Sequence, residues 1–161
     1  MLKEDTFDWI KSTFLKLTSK TYPFGFEDGL VTEMKLCGVF PNDLKEDQYG
    51  NYYYKIGESK TVFASHLDAA CQDQVIVNHR FDDEYHSEII KTDGTSILGA
   101  DDKAGVTLLL WMIKHNIPGL YYFFYGEEVG CLGSTAASSL VDEFSLYDRI
   151  VSFDRRGTES V

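Results

Sequence analysis

The stretch DGTSILGADDKAGVTLLL, residues 93–110, decides the fold. Asp93-Gly94 is a strong hairpin signal. SILG (96–99) reads as a short extended segment, and two adjacent acids, Asp101 and Asp102, follow it. Residues 103–116, KAGVTLLLWMIKHN, are apolar on nearly all sides, as expected of a helix packed inside the molecule. Asn116 and Pro118 end it, and LYYFFY (120–125) then reads as a buried strand. Strand, apolar helix and buried strand in that order argue an α/β fold: a mixed β-sheet flanked by helices.

The flanks agree. Upstream, TVFASHLD (61–68) begins as a buried strand, and YGNYYYKIG (49–57) is aromatic and strand-like. QVIVNHR (74–80) and HSEIIKT (86–92) read as two strands separated by the acidic turn Asp82-Asp83-Glu84. Near the start, Thr6 is placed to cap a helix whose apolar face is Phe7, Ile10, Phe14 and Leu17. Residues 19–30 contain Pro23, Gly25 and Gly29 and read as a loop, and 30–38 can form a second short helix. Downstream, STAASSLVDEF (134–144) reads as a small-residue helix and RIVSFD (149–154) as another buried strand.

The totals fit one domain over residues 1–161. The chain is 43% hydrophobic with 10 Tyr and 11 Phe, too aromatic for disorder. Its formal charge of -11 repels phosphate backbones and anionic lipid, which argues against nucleic acid and membrane partners. No apolar run is long enough to span a bilayer. The 3 cysteines are widely spaced and form no CxxC pair, so neither a disulfide framework nor a thiolate zinc site is expected. With no apolar signal core at the start, these features predict a cytoplasmic protein.

Four polar clusters each end a predicted strand, where open α/β sheets build their sites. In His66-Leu67-Asp68, side chains two apart on an extended segment share a face, so Asp68 can hold one imidazole nitrogen and leave the other for a metal. Alone, HxD is a weak signal, and such a histidine is more often simply at the surface or satisfied by its neighbours. Asp101-Asp102 opens the apolar helix; dipole capping explains one acid comfortably and two less well. Glu127-Glu128 follows LYYFFY, where either a solvated loop or a cation would relieve their repulsion. Asp154 ends the last strand and taken singly is ordinary. Together, His66, Asp101, Glu128 and Asp154 bring one imidazole and three carboxylates, a set that is costly without cations and suits zinc.

The motifs SHLD (65–68), DGTSILGADDKAGVTLLL (93–110), FYGEEVG (124–130) and SFDRRG (152–157) resemble, in order and spacing, those of the co-catalytic zinc exopeptidases. That broad group includes the tripeptidase T, glutamate carboxypeptidase and di-zinc aminopeptidase branches. The resemblance implies a catalytic-type metallopeptidase domain with two zinc ions, cleaving a short peptide or N-acyl amino acid by a metal-activated water. It implies His66, Asp101, Glu128 and Asp154 as metal ligands, with Asp101 bridging and joined to Asp102 by a cis peptide bond. It implies Asp68 as the support of His66 and Glu127 as the general base.

The pattern also calls for one further histidine beyond Asp154, and none follows here. His79, His86 and His115 read as structural or solvated. The expectation is a chain lacking the family's C-terminal elements and any lid or dimerisation domain. Its open sheet edge would favour a homo-oligomer. The alternative is a catalytically impaired metal- or partner-binding domain on the same fold. A receiver-like phosphoacceptor domain also places paired acids after a strand, but it leaves His66-Asp68 and Glu127-Glu128 unexplained.

Overall fold

The structure, a computed structural model, describes residues 4–84 and 87–155. Helices α1 (Glu4–Leu17) and α2 (Glu27–Lys35) precede strands β1 (Lys45–Glu46), β2 (Tyr52–Ile56) and β3 (Thr61–His66). Strands β4 (His79–Glu84) and β5 (Ser87–Thr92) form a separate antiparallel pair. Helix α3 (Ala100–Lys114), strand β6 (Gly119–Phe124), short helices α4 (Leu132–Ala137) and α5 (Val141–Phe144), and strand β7 (Arg149–Ser152) follow.

The main sheet is mixed, with order β1-β2-β6-β3-β7. Strands β6, β3 and β7 run parallel, while β2 joins β6 antiparallel. The expected α/β architecture is therefore present. Strand β6 reads as an unbroken apolar run because both of its faces are covered. Tyr121 and Phe123 join Leu17, Leu30, Met34, Val106, Leu109 and Leu110 in the core beneath α1, α2 and α3. Leu120 and Tyr122 face the other way, with Val62 and Ala137, toward α4 and α5. The three parallel strands end at one rim, which brings the segments after His66, Phe124 and Ser152 together.

Several local expectations shift. QVIV is not a ladder strand: Ile76 makes only an isolated bridge to Lys20, and the strand starts at His79. Asp82 and Asp83 thus lie within β4 rather than in a turn, and Lys91 Nζ bonds Asp82 at 2.7 Å from the paired strand. Asp93-Gly94 turns the chain, as the Asp93 carboxylate accepts from the Thr95 amide and hydroxyl, but no strand follows to make a hairpin. Thr6 sits inside α1, and Phe7 is 59% exposed, so the buried face runs through Thr13 and Leu17 instead. The helix expected over 134–144 breaks into α4 and α5 around Leu140. RIVSFD forms its strand, but at the sheet edge, where among the described residues it pairs with β3 alone and Ile150 is 62% exposed. No helix among the described residues is long and apolar enough to cross a membrane.

One polar cluster ties the aromatic face to the loop after β1. Asp47 accepts hydrogen bonds from the Tyr49 and Asn51 amides, the Asn51 side chain and, at 2.6 Å, the Tyr122 hydroxyl. Burial alone would raise this carboxyl, but the Tyr122 and Asn51 bonds outweigh it and hold it below its ordinary value of 3.8. Asp47→Ala is expected to cost about 2 kcal/mol, because it leaves a buried hydroxyl and amides without their charged acceptor. A lowered folded value means stability that is complete above the unfolded value and lost as acid protonates the group. The gap between parent and variant in urea melts should therefore be full at pH 7 and shrink as pH falls below about 4.

Candidate metal centre

His66 is the last residue of β3 and is 3% exposed. Its Nε2 lies 3.1 Å from Asp101 Oδ1 and 4.0 Å from Glu127 Oε2, and its Nδ1 lies 3.4 Å from Asp68 Oδ1. Asp68 is fully buried and accepts the Glu127 amide at 2.8 Å and the Glu128 amide at 3.0 Å. One carboxylate therefore orients the imidazole and the turn after β6 together. Burial by itself would lower the His66 pKa. Hydrogen bonding to Asp68 and Asp101, with the charges of Asp102 and Asp68, overrides it and raises the value to about 9.

The paired acids at the start of α3 divide the work. The peptide bond between them is cis. Asp101 faces His66 Nε2 with its side chain 71% exposed. Asp102 turns inward, 2% exposed, to accept the Ser65 hydroxyl at 2.6 Å and the Gly105 amide at 3.0 Å. A Cβ on Gly105 would fall 2.7 Å from the Asp102 carboxyl carbon, so glycine there makes room for the inward acid. Capping thus explains Asp102 and leaves Asp101 unaccounted for, which resolves the ambiguity of the paired acids. Burial pushes Asp102 up to about 6 despite its bond from Ser65.

Glu128 completes a tight group. Ligand atoms of His66, Asp101 and Glu128 all lie within 4.8 Å of one another. Asp154 stands outside that trio but lines the same cleft as His66 and Glu127. Glu128 is raised by burial and by the charge of Asp101. Asp154 is raised by burial and, against the pull of His66, by Asp101 and Glu127. Crowded acids around one imidazole favour a cation at their centre, so the donor set fits a divalent metal such as zinc. His79 and His115 do not substitute: His79 Nε2 meets Thr18 Oγ1 at 2.9 Å, and His115 Nδ1 meets the Trp111 carbonyl at 2.8 Å. His86 lies outside the described residues.

Sequence reasoning missed the groups beneath the rim. Ser65 anchors Asp102, and its place directly before His66 was the available signal. Lys103 is fully buried with its ammonium 5.6 Å from the Tyr22 ring centroid. Burial lowers its pKa to about 8, against the opposing charges of Cys71, Asp68, Asp101 and Asp102.

An α/β sheet carrying this acid-rich rim defines a chain that resembles the co-catalytic zinc exopeptidases in sequence and in fold. More particularly, it is 31% identical over 124 residues to peptidase T of Streptococcus mutans, a match covering 53% of this chain and 29% of that protein. It is also similar to the aminopeptidase PepT of Bacillus cereus, with a TM-score of 0.69, 25% identity, and coverage of 93% of this chain and 44% of that one. A tripeptidase of Staphylococcus aureus shares the fold at a TM-score of 0.64 and 24% identity, with coverage again 93% and 44%. The chain thus spans less than half the length of each of these three relatives. No family model matches it.

Proposed function

We propose that residues 1–161 form a single catalytic-type domain of a zinc-dependent exopeptidase, acting on a short peptide or an N-acyl amino acid in the cytoplasm. The supporting observation is the convergence of His66, Asp101 and Glu128, from three distant stretches of chain, within 4.8 Å. In this reading His66, Asp101, Glu128 and Asp154 would hold up to two zinc ions. Bound zinc would polarise the scissile carbonyl and acidify water.

The chain's own residues supply the rest. Asp68 keeps the His66 ring turned so that Nε2 faces the cleft. Glu127, outside the ligand trio yet within 4.0 Å of His66 Nε2, takes a proton from the attacking water and returns it to the leaving amine. Its neighbour Glu128 points into the trio, so the two acids serve separate roles. Three thiols without disulfides suit a reducing compartment.

Zinc content measured beside hydrolysis of di- and tripeptides tests the proposal. The expected result is zinc bound together with cleavage of a terminal residue. Zinc without turnover would replace it with a metal-binding domain lacking catalysis. A chain that takes up no zinc would end both readings.

A further inference from the structure

Glu27, the first residue of α2, is remote in sequence from every motif above, yet it is 8% exposed and directly follows the segment whose Phe24 packs on the turn that carries Glu127 and Glu128. One carboxylate oxygen, Oε2, accepts the Gly25 amide at 2.6 Å. The other, Oε1, is sealed from solvent and accepts no hydrogen bond of ordinary geometry among the described residues. Burial raises the Glu27 pKa above its ordinary value, with the charge of Asp68 adding to it and the backbone dipoles of Glu27 itself, Gly25 and Gly126 opposing it. Gly126 is the residue directly before Glu127 and has a left-handed φ of 61°.

The segment around Glu27 touches both halves of the candidate centre. The Tyr22 carbonyl accepts the Ala69 amide at 2.9 Å, directly after Asp68. Phe24 stacks on Tyr125 with ring centroids 6.5 Å apart, and a Cβ on Gly126 would fall 3.1 Å from the Phe24 ring. Gly25, with φ of 88°, lets the chain double back so that its amide meets Glu27 while Phe24 lies on Gly126. Asp68 receives the Glu127 and Glu128 amides, and Glu27 holds the Gly25 amide next to the Phe24 ring that packs on the residue preceding them. Two buried carboxylates therefore bear on the Gly126–Glu128 turn: Asp68 directly, through the amides of Glu127 and Glu128, and Glu27 through the Gly25 amide and the Phe24 ring that lies on Gly126. Successive amides presented to an anion fix a turn's orientation.

We propose that Glu27 is a positioning residue: with Asp68, it clamps the Gly126–Glu128 turn so that Glu128 reaches the metal and Glu127 faces the cleft. The proposal rests on the exopeptidase reading for its consequence, but not for its geometry. Outer groups that orient a ligand typically change metal affinity 10- to 100-fold when lost.

The test is Glu27→Gln, which keeps the shape and half the acceptor capacity while placing an amide against backbone donors. Zinc affinity by chelator competition should fall about tenfold. Backbone amide resonances of Gly126, Glu127 and Glu128 should move in the metal-free protein, with the far-ultraviolet spectrum unchanged. Glu27→Ala should exceed Glu27→Gln in both readouts. Resonance changes confined to Gly25 and its neighbours, or zinc affinity equal to the parent's, would overturn the clamp. If the parent itself bound no zinc, the exopeptidase reading would fail while the amide resonances still decided the clamp. Should Glu27→Gln unfold, Glu27→Asp carries the same two measurements, since it keeps the charge and withdraws it by one methylene.

Discussion

Glu127→Gln is expected to retain zinc at the parent's stoichiometry and to lose peptide hydrolysis by about 100- to 10,000-fold, the range for removing a positioned general base. The reason is positional. Glu127 and Glu128 are adjacent, but only Glu128 belongs to the group whose ligand atoms lie within 4.8 Å of one another. Glu127 Oε2 stands off His66 Nε2 by 4.0 Å, and its side chain is 36% exposed toward the cleft. Its other oxygen meets the Cys131 thiol at 3.4 Å, which leaves Oε2 facing the ring. An amide at this position fills the same space and cannot accept a proton. Zinc analysis and single-turnover cleavage of a tripeptide check both halves. Loss of zinc together with activity would make Glu127 a ligand instead of a base, and cleavage at the parent rate would remove it from the chemistry.

The fold was readable wherever periodicity and burial coincide. LYYFFY became β6 because a strand covered on both faces has no polar positions, and KAGVTLLLWMIK became α3 for the same reason on a helix. The second strand pair was misplaced because QVIV carries the apolar signal but lies in a connecting segment. The ladder is instead formed by HRFDDE, whose polarity suits a hairpin standing off the main sheet. Phe7 illustrates a related limit: helical spacing marks a face, but which part of it meets a neighbour depends on where α3 crosses.

The candidate centre was legible as residue types at strand ends, because three parallel strands finishing at one rim turn sequence order into proximity. What supports that rim was not legible. Ser65, Lys103 and Glu27 act through buried contacts with partners 37 residues away in the case of Ser65 and Asp102, and a single sequence gives no sign of such pairing. Asp101 and Asp102 were indistinguishable as letters. They separate only when the backbone between them turns one carboxylate outward and the other under Gly105.

Asp68→Asn should have the largest combined effect, on stability and on metal affinity at once. Among the described residues, the Asp68 carboxylate accepts the Glu127 amide at 2.8 Å and the Glu128 amide at 3.0 Å, and its Oδ1 makes a 3.4 Å ion-pair contact with His66 Nδ1. These divide between the two oxygens, Oδ1 taking Glu127 and His66, and Oδ2 taking Glu128. An asparagine therefore directs its NH2 against at least one N–H whichever way it is turned, in a place with no exposure to water. The loss of a charged acceptor and one frustrated buried donor should cost about 3 kcal/mol, read as a lower urea midpoint at unchanged slope. If the NH2 takes the Oδ1 position, His66 loses the negative charge that favours a proton on Nδ1. If it takes the Oδ2 position, the Glu128 amide is pushed away and the ligand moves with it. Either outcome lowers zinc affinity 10- to 100-fold. Crystals of the variant would tell the two apart by which side chain leaves the trio. A variant with the parent's urea midpoint and zinc affinity would mean that Asp68 neither orients the ring nor holds the turn, and the separate roles given to Glu127 and Glu128 would lose their common support.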